Sequence, residues 1–310
     1  MRFRISRLVP LGIVLALALV GLSGYALASG YVVSLTQNGP SPTTFTATLG
    51  DTVTFVNNDY NTHTVVDNQT GLQSPALAPG QSYPWVLTTS GRLSYRQEGK
   101  PQGSGVIVVT RTGSVTLKAS KRSVAFHSGS LLSGTSTFPT FPVKIEQRSK
   151  GDKSWTELAT LTPASDGSFT LSVSPEKSVQ YRANVFTGEL LSPSVAVDVR
   201  PILTLSARRR TVPGGSLLTL TSRTVPADAA TSIDLVRYDA KRQTWRRVLT
   251  RRSASGTVVF RWRVEYGRSV LRARVAKKGL ATGYAETLSR SVVVTGTGTP
   301  PRSGKRGKHH

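Results

Sequence analysis

Four histidines, His63, His127, His309 and His310, and no cysteine limit the chemistry open to this 310-residue chain. Without a thiol there is no disulfide, no thiolate nucleophile and no thiolate metal ligand. No Gly-rich phosphate loop opens a helix after a strand, no Gly-x-Ser-x-Gly elbow occurs, and no His-Glu-x-x-His motif exists. The acids are sparse, and no spacing among them pairs a general acid with a general base. The chain is therefore expected to be non-enzymatic. His127 stands alone, and His309 and His310 sit in a cationic tail that disfavours a metal. His63 has two readings: a surface or loop histidine, or a metal ligand helped by Asp59, Asp67 or a second molecule.

The second chemical signal is positive charge. The formal net charge is +24, and it is unevenly spread. Residues 1–30 carry +3, residues 31–110 carry −1, residues 111–200 carry +4 and residues 201–310 carry +18. The last third holds Arg208, Arg209 and Arg210, then Arg246 and Arg247, Arg251 and Arg252, Arg261 and Arg263, and Arg272 and Arg274. Side chains two apart on a strand share a face, so Arg261 with Arg263, and Arg272 with Arg274, are each expected on one face. A polycationic sheet face attracts anionic envelope polymers, anionic lipid headgroups or extracellular DNA. The plain alternative is a solvated basic face. Specific nucleic-acid recognition is not expected, since no aromatic stacking platform accompanies the charge.

The elements that carry these residues read as strands and turns. Arg2, Arg4 and Arg7 precede an apolar run from Leu8 to Leu22 and the small-x-small triplet Ala26-Leu27-Ala28. Residues 1–28 are thus expected to be a signal peptide, or else an uncleaved N-terminal anchor, which places the remainder outside the cytoplasm, secreted or associated with the cell surface. Thr52-Val53-Thr54-Phe55-Val56 alternates, Pro79-Gly80 turns, and Val106-Ile107-Val108-Val109 is apolar throughout, as a buried sandwich strand is. Beyond residue 110 the sequence repeats. Thr116-Leu117-Lys118-Ala119-Ser120 returns as Thr204-Leu205-Ser206-Ala207-Arg208, and Ser154-Trp155 as Thr244-Trp245. Two tandem units of about ninety residues follow from these offsets. Regular short strands with at least one Trp per unit predict immunoglobulin-like or fibronectin-like sandwiches with Trp anchors in their cores. The predicted organisation is a leader (1–28), a first domain (31–110), a sandwich (111–200), a basic sandwich (201–296) hinged at Arg200-Pro201, and a disordered basic tail (297–310). The fold class is all-β.

Residues 31–110 resemble the cupredoxin family of plastocyanin- and azurin-like blue copper domains. The resemblance rests on Gly50-Asp51-Thr52-Val53-Thr54-Phe55-Val56-Asn57, Thr62-His63-Thr64-Val65, Leu77-Ala78-Pro79-Gly80-Gln81-Ser82-Tyr83, Gly91-Arg92-Leu93-Ser94-Tyr95 and Gly105-Val106-Ile107-Val108-Val109, in that order. It implies a Greek-key sandwich and a copper ion held by a His at position 63 and by Cys, His and Met on the loop after Tyr95. Those loop positions hold Gln97, Lys100 and Gly103. A carboxamide, an ammonium and a bare backbone replace three of four ligands, so the domain is expected to keep the scaffold without the blue site and to need no cofactor. The expected role is an exported, non-catalytic binding or scaffold protein of the envelope. The rivals are a copper-binding electron carrier, as the family implies, and an accessory protein docking on glycan through Trp85 or Tyr60.

Overall fold

The computed structural model describes residues 29–99, 103–149 and 151–300. The leader reading falls on residues outside that range, as does nearly all of the predicted tail. Among the described residues all regular structure is strand, apart from three single 3-10 turns at Phe186–Gly188, Ala227–Ala229 and Lys277–Gly279. The chain is all-β. No helix among the described residues is long and apolar enough to cross a membrane.

The first sandwich contains β1 (Gly30–Thr36), β2 (Gly39–Ser41), β3 (Thr44–Thr48), β4 (Thr52–Asn57), β5 (Val65–Asp67), β6 (Ser82–Val86), β7 (Gly91–Gln97) and β8 (Ser104–Thr110). One sheet runs β2-β1-β4-β6 and the other β3-β8-β7-β5. β1 lies parallel to β4 and β3 parallel to β8, whereas the chain neighbours β1 and β2, and β7 and β8, pair antiparallel. Alternation sets the core: Val53 and Phe55 point in from one sheet, Tyr95 and Ile107 from the other. Gly105 is required where it is, because a Cβ there would collide with the Tyr95 ring.

The second sandwich contains β9 (Lys118–Ala119), β10 (Ser123–Ala125), β11 (Ser130–Thr135), β12 (Val143–Ser149), β13 (Thr156–Leu161), β14 (Ser168–Val173), β15 (Val179–Val185), β16 (Leu190–Leu191) and β17 (Val195–Arg200). The third contains β18 (Ile202–Ala207), β19 (Thr211–Pro213), β20 (Leu217–Val225), β21 (Ser232–Asp239), β22 (Thr244–Arg252), β23 (Thr257–Arg263), β24 (Gly267–Val275), β25 (Thr287–Leu288) and β26 (Val292–Thr297). Their pairings coincide strand for strand. The small sheets run β14-β11-β9 and β23-β20-β18. The large ones run β10-β17-β15-β12-β13 and β19-β26-β24-β21-β22, with β16 and β25 added on β15 and β24. Even the register shift recurs, between Ile145 and Glu146 in one and Leu235 and Val236 in the other. The third sandwich is thus matched, position by position, by a second copy of its own strand plan.

The tryptophans divide. Trp262 is buried in the third core, as expected of an anchor. Trp155 and Trp245 are not core residues. Arg148 and Arg182 stack on Trp155 at 4.6 and 4.4 Å, and Arg272 stacks on Trp245 at 4.7 Å. Both indoles lie on the outer face of a large sheet, covered by guanidinium instead of aliphatic side chains.

The first two sandwiches share one continuous apolar core, which Ala229 and Tyr284 of the third also join, while the rest of the third has its own. Phe138 makes the join. A Cβ on Gly50 would stand 2.8 Å from its ring and one on Gly113 2.5 Å from it. Both glycines have positive φ, and the ring packs edge-on to Phe186. The third sandwich follows through Pro201 alone, since β17 ends at Arg200 and β18 begins at Ile202. Backbone bonds from Ser178 N to Gly283 O and from Ala285 N to Val199 O cross that junction.

Phe138→Ala is expected to cost about 3–5 kcal/mol and to split the joint melting of the first two sandwiches, which calorimetry resolves. Burial pushes the Tyr181 phenol from 10.0 up to about 12, and it raises Tyr95 as well. Both groups hold their proton more tightly when folded, so their contribution is full below pH 10 and is lost as pH climbs from there toward 12. Alkaline titration should show these two phenols ionising late, together with loss of circular dichroism.

Candidate functional site

Two polar features stand out, one at an end of the first sandwich and one along the third. At the first, β4 ends on Asn57, which is fully buried and organises the turn that follows. Its Nδ2 donates to the carbonyls of Asn61 and Leu77, at 2.7 and 2.8 Å. Its Oδ1 accepts the Asp59 amide at 2.9 Å. The turn so fixed aims the Asp59 carboxylate at His63, whose Nε2 lies 2.7 Å from Asp59 Oδ2. Backbone bonds in both directions between His63 and Leu77 hold the imidazole from its own side. Asp59 Oδ1 also accepts the Tyr60 amide at 2.7 Å. His63 is 4% exposed and Asp59 5%. His63 does lie in the loop between β4 and β5, but the reading of it as a surface side chain is corrected: it is buried, with a carboxylate on its ring. Asp67, the other suggested helper, is occupied in its own turn, where it accepts from the Gln69 amide and the Thr70 hydroxyl.

Gln97 closes the same end from β7. It is 1% exposed. Its Nε2 donates to Thr36 O at 3.3 Å, and its Oε1 has no hydrogen-bond partner. Gly103 contributes only its carbonyl, to the Gln97 amide. Lys100 lies outside the described residues. This donor set does not fit a blue copper ion. Such a site needs a thiolate and two imidazoles in one plane. Here there is one imidazole, already on Asp59, a carboxamide where sulfur should be, and no side chain at position 103. No group of three or more His, Cys, Asp or Glu able to hold a metal occurs among the described residues. What the arrangement does do is satisfy buried polar groups of one turn by another, leaving the Gln97 oxygen as the exception.

The second feature is arginine. The structure separates the predicted cations into three places. Arg208, Arg209 and Arg210 are exposed on the turn between β18 and β19, at one lateral edge of the third sandwich. Arg272 and Arg274 do share a face, the outer face of β24, but they are engaged. Arg272 lies on Trp245 and donates to Ser291, while Arg274 meets Asp234 at 3.0 Å. The remainder gather at the opposite lateral edge. β22 carries Arg246, Arg247, Arg251 and Arg252, and β23 carries Arg261 and Arg263 on either side of buried Trp262. Arg223 joins them from β20, opposite Thr257 of β23. All seven are exposed. Arg246 pairs with Asp239 at 3.0 Å and Arg263 donates to the Gly215 carbonyl. Among the described residues no carboxylate pairs with Arg223, Arg247, Arg251, Arg252 or Arg261. Arg223 escaped the sequence reading because it is a single charge amid Ser and Thr, although the alternation of Leu217–Val225 places it outward.

The second sandwich shows what this edge looks like without the charge. Register puts Thr135 where the third has Arg223, Glu157 where it has Arg247, and Ser172 where it has Arg261. The strand plan holds equally well with hydroxyls and an acid at these positions.

No family model matches the chain, and no curated protein does. Among solved structures, a purple cupredoxin from Nitrosopumilus maritimus is similar at 20% identity, over 26% of this chain and 99% of its own, with a TM-score of 0.24. A copper(I) amicyanin variant is similar at 25% identity, over 27% of this chain and 87% of its own, with a TM-score of 0.25.

His63→Ala leaves a buried carboxylate without its imidazole and is expected to cost about 3 kcal/mol, read by denaturant unfolding. Copper(II) added to the unmodified protein should give no intense visible charge-transfer band.

Proposed function

We propose that this chain is a non-catalytic protein of the extracytoplasmic space, secreted or attached to the cell surface, that binds anionic envelope material through its third sandwich. The observation that carries this reading is the arginine edge set against its counterpart. Where one copy of the strand plan has Thr135, Glu157 and Ser172, the other has Arg223, Arg247 and Arg261. Folding does not ask for the difference, so binding is the simplest reason for it. The leader reading of residues 1–28 supplies the location, and the charge supplies the partner: anionic polymers or lipid headgroups.

In this reading the first sandwich is a cupredoxin-like scaffold that has lost its blue copper site and uses no cofactor. The polar end supports that, since the one imidazole there, His63, is engaged by Asp59 and a carboxamide stands at position 97. The second and third sandwiches are immunoglobulin-like units, in keeping with small sheets of three strands facing larger ones. The electron-carrier alternative lacks its sulfur donor, and no observation favours it. For the glycan alternative, Tyr60 is exposed but Trp85 is packed against the first core.

The test is retention of the whole protein on purified anionic envelope polymer across a salt series. Retention should be strong at low salt and lost as the screening length shrinks from about 10 Å at 0.1 M toward about 3 Å at 1 M. Binding indifferent to salt, or no binding at low salt, contradicts the reading.

A further inference from the structure

The arginine edge is a rim and not a plane, and its shape narrows the partner. At this edge β22 of the large sheet lies against β23 of the small one. Register places Arg251 opposite core-facing Ile233, and Arg252 opposite Ser232 on the other side. With the shift at Leu235 and Val236, Arg247 falls on the outer side and Arg246 on the core side. β22 therefore presents cations to both of its faces. Around the edge, Arg261 and Arg263 stand on the outer face of the small sheet, two residues and about 6–7 Å apart. Positive charge thus runs from one outer face, across the open edge, to the other.

We infer that this rim binds a flexible, linear, phosphate-bearing polymer that wraps the edge of the third sandwich. The inference rests on the polyanion reading above and specifies its site and ligand class. Each group on the three strands is arginine and none is lysine, and the guanidinium fork matches phosphate oxygens two at a time. A flat bilayer surface reaches one side of such a rim, whereas a flexible chain follows it around. Duplex DNA, with a persistence length of about 50 nm, does not bend over one sandwich edge. Single-stranded nucleic acid wants aromatic platforms, and these strands offer none: Phe260 and Trp262 are buried, and Trp245 lies beneath Arg272.

The test uses the whole protein and long-chain inorganic polyphosphate as probe. One variant removes rim charge, Arg247→Ser, Arg252→Thr and Arg261→Ser. A second removes equal charge at the opposite edge, Arg208→Ser, Arg209→Ser and Arg210→Ser. The rim variant should weaken polyphosphate binding at least tenfold and lower the slope of log affinity against log salt by about three. The turn variant should lose less than threefold. Arg261→Ser alone, with native circular dichroism, should lose about threefold and serves if the triple variant is unstable. Equal losses in the two triple variants overturn the rim as the site. Tighter binding of anionic phospholipid vesicles or of DNA, at equal phosphate concentration, overturns the ligand class. If envelope polymer is retained in a salt-dependent way but polyphosphate is not bound, this inference fails alone; if neither binds, the polyanion reading fails with it.

Discussion

Seven guanidinium groups crowd one rim of the third sandwich, and among the described residues Asp239 is the one carboxylate paired with any of them. Like charges on neighbouring strands repel, and directly opposed ones destabilise a sheet. Arg237 and Arg246 face each other across β21 and β22, and Glu265 on Arg237 and Asp239 on Arg246 relieve that contact. Among the described residues no carboxylate relieves Arg251, Arg252 or Arg261 in the same way. The sheets tolerate the charge because their stability is supplied elsewhere, by Leu220, Ile233, Leu235, Phe260 and Leu271 packed between them. A side chain of that size contributes about 1.5–3 kcal/mol when buried.

The same separation of duties runs through the molecule. In the first two sandwiches the interior is shared, with Phe138 inserted between Gly50 and Gly113. The polar end of the first sandwich is closed by side chains that answer one another: Asn57 fixes the turn, the turn delivers Asp59, and Asp59 holds His63. The imidazole at that position is covered and not open. The outer faces of the large sheets carry a repeated guanidinium-on-indole contact, Arg182 on Trp155 and Arg272 on Trp245. That contact occupies arginines that a count of charge would otherwise assign to binding.

Much of this was legible in the residues. Period-2 alternation marked Thr52–Asn57 and the apolar run at Val106 as strands, and similarity at offsets near ninety residues anticipated the shared strand plan. What escaped depended on which strands become neighbours. His63 looked exposed because the Asp59 that covers it sits across a turn whose geometry depends on Asn57. Trp155 and Trp245 read as anchors because an indole beside alternating residues usually points inward; here the outward side was also apolar enough, once arginine lay over it. Arg272 and Arg261 looked equivalent in sequence, and only the sheet order places them on opposite sides of the sandwich. Arg223 becomes part of the cluster only when β20 is known to pair with β23.

The central claim is that the rim arginines burden the fold and serve something outside it. The direct measurement is the unfolding free energy of the unmodified protein and of the rim-reduced variant as sodium chloride rises from about 0.05 to about 0.5 M, where screening shortens several-fold. Stability of the unmodified protein should rise with salt, as repulsion among unpaired guanidiniums is screened, and the variant should start higher and respond less. A protein that loses stability with salt, or a variant less stable than its parent at the low-salt end, would mean that these arginines hold the sandwich together.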